Sequence, residues 1–188
     1  MAGFDDVIAE CRAVFVSKYD QYGPSWLFFR PISLVDQIFI KAHRVRTLQG
    51  LEGEQRVRDR PVDEFVGIVN YALLAIDAFG RARADGYDPF HHGIPPEWRS
   101  PQRAAARYDE IVGEIRALHR AKDHDYGSAW RKMEMEGLTD EVLVRTARLK
   151  ELLRDDASAS EEDVVAQFRD VVNYAAFALA RLAEEGDG

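Results

Sequence analysis

The sequence predicts an all-α protein: a helical bundle built from two tandem, pseudo-symmetric repeats of about three helices each, sharing one core. Three observations carry this. Apolar residues recur at helical spacing in several long segments, no run reads as a strand, and the chain repeats itself. "KYDQYGPSW", Lys18 to Trp26, returns as "KDHDYGSAW", Lys122 to Trp130. A shift of 104 residues lays Phe4–Leu48 on Tyr108–Leu152 without a gap, with twelve of 45 positions identical. After one deletion the match resumes at a shift of 103, where "FVGIVNYALLA" from Phe65 lies on "FRDVVNYAAFA" from Phe168. A duplication of this kind is read before anything else, because one unit alone cannot bury its apolar face.

Each element follows in order. The first helix carries the stripe Phe4, Val7, Ile8, Cys11, Val14 and Phe15, and its copy carries Tyr108, Ile111, Val112, Ile115 and Leu118. Gly23 and Gly127 are expected stops, since glycine reaches positive φ without a steric cost. The second helix is expected at about Leu34–Gln49 and again at about Thr139–Arg154, with Thr139 as its N-cap. The third, about Val62–Gly80 and Glu161–Glu184, is apolar nearly all round and must be buried on most sides. Residues 81–107 hold "ADGYDPFHHGIPPEWRSP", a connector rich in Pro and Gly. The organisation expected is a first repeat over 1–80, that connector, and a second repeat over 108–188.

Composition narrows the function. The net charge is −8, from 33 acidic and 25 basic residues. That balance argues against a nucleic-acid polymer as partner, because a basic face supplies most of such affinity. Cys11 has no second cysteine to pair with, which fits a reducing compartment. The start "MAGFDDVIAE" lacks a basic leader and no segment is apolar enough to span a bilayer. A cytoplasmic protein with no membrane contact is expected, with a homodimer as the oligomer to look for.

Polar residues interrupt the apolar pattern. Continued, the first stripe reaches Lys18 and Tyr22, and its copy reaches Lys122 and Asp125. Inward-facing charge costs several kcal/mol unless it is paired. The second helix places Lys41 and Arg44 one turn apart, and its copy does the same with Arg145 and Arg148. Such neighbours repel unless an anion intervenes. The third helix holds Glu64 and Asn70 in one copy, Asp170 and Asn173 in the other. Cations suit phosphate oxygens, carboxylates suit Mg²⁺, and aromatics with an amide suit a nucleobase. Each half thus offers the parts of a nucleotide pocket.

With these motifs laid out, the chain resembles the family called nucleotide modification associated domain 1 in its tandem form. "RPISLVDQIFIKAHRVRTL", "EFVGIVNYA", "LTDEVLVRTARLKEL" and "RDVVNYAAFAL" carry the resemblance together with the two phrases above. The helical pattern is also similar to all-α nucleoside triphosphate pyrophosphohydrolases of the MazG and dimeric dUTPase kind. Those enzymes gather E-x-x-E and E-x-x-D carboxylates around Mg²⁺. Here the second helix has Lys41/Arg44 and Arg145/Arg148 instead, and each third helix keeps one acid of the pair, Glu64 facing Gly67 and Gln167 facing Asp170.

The residues assigned to a site are therefore these. Asp20, Glu64, Asp125 and Asp170 are candidate catalytic carboxylates, with Glu64, Asp125 and Asp170 as ligands of Mg²⁺. Lys18, Lys41, Arg44, Lys122, Arg145 and Arg148 are candidate phosphate-binding cations. Tyr22, Trp26, Asn70, Tyr126, Trp130 and Asn173 are candidate base-binding groups. Lys41 and Arg44 could equally close an internal salt bridge to Asp20 or Glu64, and the aromatics could be core. Three functions stay open: hydrolysis of a nucleoside triphosphate or modified nucleotide, nucleotide binding without turnover, and a helical scaffold.

Overall fold

The computed structural model of the chain describes residues 3–51, 60–126, 129–154 and 160–186, and their side chains except those at 82–85, 118, 121–126, 129 and 185–186. Among the described residues there are helices and no strands. The long helices are α1 (Phe4–Tyr22), α2 (Pro31–Gln49), α3 (Pro61–Asp85), α5 (Pro101–Tyr126), α6 (Met135–Arg154) and α7 (Glu161–Gly186). A single turn, α4 (Pro89–His92), and three short 3₁₀ turns join them.

Local chemistry sets the helix ends. Proline opens α2, α3, α4 and α5, where its fixed φ suits the first turn and its missing N–H costs nothing. Ser160 caps α7, its hydroxyl accepting from Asp163 N at 3.0 Å. Gly23 ends α1 at φ 60°, with its N–H donating to Tyr19 O at 2.8 Å. A side chain there would strain the backbone. Gly127, its expected counterpart, lies outside the described residues.

Two expectations are corrected. Thr139 does not cap α6. It sits one turn inside, fully buried, donating to Met135 O and accepting from Gln49 Nε2, both at 3.0 Å. Helix α3 also runs on to Asp85, past the expected Gly80, and α5 begins at Pro101, ahead of Tyr108, with α4 lying between them.

Helices α2, α3, α7 and α6 pack in a closed ring, α2 on α3, α3 on α7, α7 on α6 and α6 on α2. The duplication maps α2 onto α6 and α3 onto α7, so the ring has pseudo-two-fold symmetry. Matched positions fill its centre: Leu34 and Leu138, Ile38 and Val142, Phe65 and Phe168, and Val69 and Val172 are all fully buried. Each such side chain contributes about 1.5–3 kcal/mol by leaving water. The α2–α6 contact keeps the symmetry in its charges. Asp36 pairs with Lys150 at 2.8 Å and Asp140 pairs with Arg46 at 3.6 Å, a matched couple. Helices α1 and α5 touch each other and both pack on α3, and α1 also reaches α7.

Candidate functional site

The lower half of α1, the 3₁₀ turn after it, and the first turns of α3 enclose a cavity of about 540 Å³. Its walls bring together Lys18, Tyr22 and Trp26 with Lys41, Glu64 and Asn70. Six of the residues that the sequence assigns to the first repeat's site thus share one space. Asp20 is not among them. It lies exposed on another face of α1, beside Arg12, Ser17 and Gln21.

The inward stripe of α1 differs from the expected one. Val7, Ile8, Cys11, Phe15 and Tyr19 are buried, while Val14, Lys18 and Tyr22 are exposed. Tyr19 turns in because its hydroxyl has a buried acceptor, Trp98 O at 2.6 Å. Lys18 and Tyr22 flank that stripe and form the open rim of the cavity, with Lys18 Nζ 5.7 Å over the Tyr22 ring. Among the described residues no carboxylate lies within ion-pair distance of Lys18.

Trp26 closes the inner end. It is 6% exposed and packs edge-on against Trp98 and Phe15. Its indole N–H has no hydrogen-bond partner. A buried donor left unmatched costs about 1–3 kcal/mol.

One ion cluster forms the floor. Glu64, 5% exposed in the first turn of α3, accepts from Lys41 Nζ through Oε2 at 3.1 Å and from Arg44 through Oε1 at 2.7 Å. Of the two partners the sequence offered, Lys41 and Arg44 take Glu64. Gly67 makes this possible. A Cβ at residue 67 would lie 2.6 Å from Lys41 Cε and 2.9 Å from its Cδ and Nζ. The lysine stem crosses α3 through the space that the glycine leaves. Asn70 is committed too, donating to Cys11 O at 3.0 Å and accepting from Tyr108 at 2.7 Å.

The second repeat moves its acid one turn along. Gln167 stands where Glu64 does, and its buried Oε1 has no partner. Asp170 stands at the place of Gly67 and meets Arg145 Nε at 3.4 Å, with Glu141 3.3 Å from the same guanidinium. Arg148 turns outward to Glu151 at 3.0 Å. Trp130 stacks flat on Phe177 at 4.4 Å and carries Arg131 4.5 Å over its ring. Asn173 is 6% exposed and its Oδ1 is unpaired. The side chains of Lys122, Asp125 and Tyr126 lie outside the described residues.

A magnesium ion finds no ready ligand set in this floor. Both oxygens of Glu64 are taken by cations, and among the described residues no group of three His, Cys, Asp or Glu side chains is placed to hold a metal. Glu64 and Asp170 each serve the cations of their own repeat.

Two segments, residues 18–77 and 122–182, match the model of the family described as nucleotide modification associated domain 1. The chain belongs to that family. One matched segment lies in each repeat, so this member carries the nucleotide modification associated domain twice. No curated protein and no solved structure matches the chain.

Several cavity residues escaped the sequence reading: Tyr19, Phe29, Asp63, Gly67 and Tyr71. Tyr71 and Asp63 adjoin assigned residues and were within reach. In the sequence Gly67 reads only as a missing acid, since nothing there says that a lysine stem occupies the room above a glycine.

Proposed function

We propose that the protein binds a nucleotide in the first-repeat cavity and holds it there without turnover. The observation that carries this reading is the joining of a rim cation, Lys18, with no acid of the described residues beside it, to an aromatic wall in one cavity of about 540 Å³. That volume suits a small organic ligand. Tyr22, Phe29 and Tyr71 offer ring faces for a base. The family's association with nucleotide modification points to the same ligand class.

Binding is preferred to magnesium-assisted hydrolysis because Glu64 is spent on Lys41 and Arg44. A carboxylate whose two oxygens are both held by cations is a poor metal ligand. The experiment is a melting panel of nucleosides and nucleotides with and without Mg²⁺, followed by chromatography of each mixture. At a hundredfold excess over Kd, a ligand adds about 2.7 kcal/mol of stability, a shift of several degrees. Stabilisation by a nucleotide that is recovered intact supports the reading. No shift from any nucleotide rejects it, and release of pyrophosphate or phosphate would make the protein a hydrolase instead.

A further inference from the structure

We infer that the first-repeat cavity selects a nucleotide carrying a single phosphate, with Lys18 as the group that recognises it; this deepens the nucleotide reading and rests on it. The charge lining the cavity decides the matter. Among the described residues four charged side chains line it, Lys18 and Lys41 against Asp63 and Glu64, with Arg44 and Arg60 paired to those two acids.

Three of the four are already engaged. Glu64 holds Lys41 at 3.1 Å and Arg44 at 2.7 Å. Asp63 is gripped by both arms of Arg60, at 2.9 and 2.8 Å, which keeps its carboxyl below the usual range and therefore charged. Lys18 alone stands at the rim, exposed, with the Tyr22 face beneath it and no acid of the described residues beside it. One cation of this kind matches one phosphate. Further phosphates would either reach inward toward the Lys41–Glu64 and Arg60–Asp63 pairs, whose cations are already engaged, or trail outward into water, where screening leaves little to gain.

Affinity is therefore expected to rise once, from nucleoside to monophosphate, and not again. The test is calorimetric titration of the full chain with the four common deoxyribonucleosides and their mono-, di- and triphosphates, with and without Mg²⁺. For the base that binds best, the monophosphate is expected to bind about tenfold tighter than the nucleoside, and the triphosphate no tighter than the monophosphate. Lys18→Ala should erase that tenfold step and leave nucleoside affinity in place; an intact step overturns the role of Lys18. Glu64→Gln, which releases Lys41 into the cavity, should make the triphosphate the best ligand of the series.

The exposed position of Lys18 keeps the test informative even if Glu64→Gln folds poorly. A triphosphate that binds the unaltered chain ten times more tightly than the monophosphate overturns this inference while leaving nucleotide binding intact. Absence of binding by every member of the series removes the nucleotide reading and this inference with it.

Discussion

Tyr108 donates its hydroxyl to Asn70 Oδ1 at 2.7 Å, joining the two repeats, whereas the matching pair on the other side, Phe4 and Asn173, has no hydroxyl to share. The surroundings match closely. Tyr108 stacks on Phe15 at 4.8 Å and 19°, and Phe4 stacks on His119, the counterpart of Phe15, at 4.3 Å and 16°. The missing oxygen leaves Asn173 Oδ1 buried and unpaired. Burial pushes the Tyr108 phenol well above its usual range, so it stays a donor at any ordinary pH. We predict that Phe4→Tyr stabilises the fold by about 1 kcal/mol, while Tyr108→Phe costs about 1–3 kcal/mol by orphaning Asn70. Urea denaturation of the two variants measures both; a destabilising Phe4→Tyr would break the proposed equivalence of the two sites.

Gly67 gives a second test. In an ordinary helix interior, glycine to alanine gains about 0.5–1 kcal/mol. Here the added methyl would stand 2.6 Å from Lys41 Cε, and the lysine stem must leave its path to Glu64. Gly67→Ala alone should therefore gain nothing, whereas Gly67→Ala in a Lys41→Ala background should recover the ordinary gain. A double-mutant cycle read by chemical denaturation checks the coupling. Equal effects in both backgrounds would show that Lys41 does not depend on the glycine.

The fold was legible because its signals are periodic and duplicated. Leu34 and Leu138, or Phe65 and Phe168, occupy matched places in the sequence and matched places in the core. The first repeat's site was legible as a list of residues, and Lys18, Trp26, Lys41, Glu64 and Asn70 do meet in one cavity. Their individual roles were not. Stripe arithmetic placed Lys18 inward, but α1 is rotated so that Tyr19 takes the buried position, drawn by Trp98 O, an acceptor 79 residues away. Partner choice for Lys41 also depended on a long-range fact, the space over Gly67. Short-range pattern fixes which face of a helix is apolar to within one residue, and the last residue is settled by tertiary hydrogen bonds.

The connector supplies a third prediction. Asp77, its side chain 2% exposed, accepts from Trp98 Nε1 at 2.9 Å and from Arg107 Nε at 2.8 Å, and also pairs with Arg81. Arg81 bonds Glu97 as well and lies 5.7 Å over the Trp98 ring. The second repeat has Ala180 and Glu184 at the places of Asp77 and Arg81, so this anchorage belongs to one side of the bundle. Asp77→Asn removes the acid that three donors share and leaves Arg81 and Arg107 with their outer partners alone, Glu97 and Glu110. A loss of about 3 kcal/mol is expected, with faster tryptic cleavage at Arg99 and a red-shifted tryptophan emission. Unchanged cleavage and stability would show that the connector is held by apolar contact alone.

Cys11 offers a pH test with a definite sign. It is fully buried on α1, and burial pushes its thiol from 9.0 up to about 12. The folded state thus favours the neutral thiol more strongly than the unfolded chain does. The resulting stability is complete below pH 9 and drains away as pH rises from 9 toward 12, because only the unfolded chain ionises there. Cys11→Ala lacks this term but keeps the chain's lysines and tyrosines. The stability gap between wild type and Cys11→Ala should hold steady between pH 7 and 8.5, then narrow by up to about 1.4 kcal/mol per pH unit above 9. Urea titrations of both proteins at pH 8, 9.5 and 10.5 read it directly. A gap that stays constant across that range would mean that the thiol is solvated and that α1 does not seal over it.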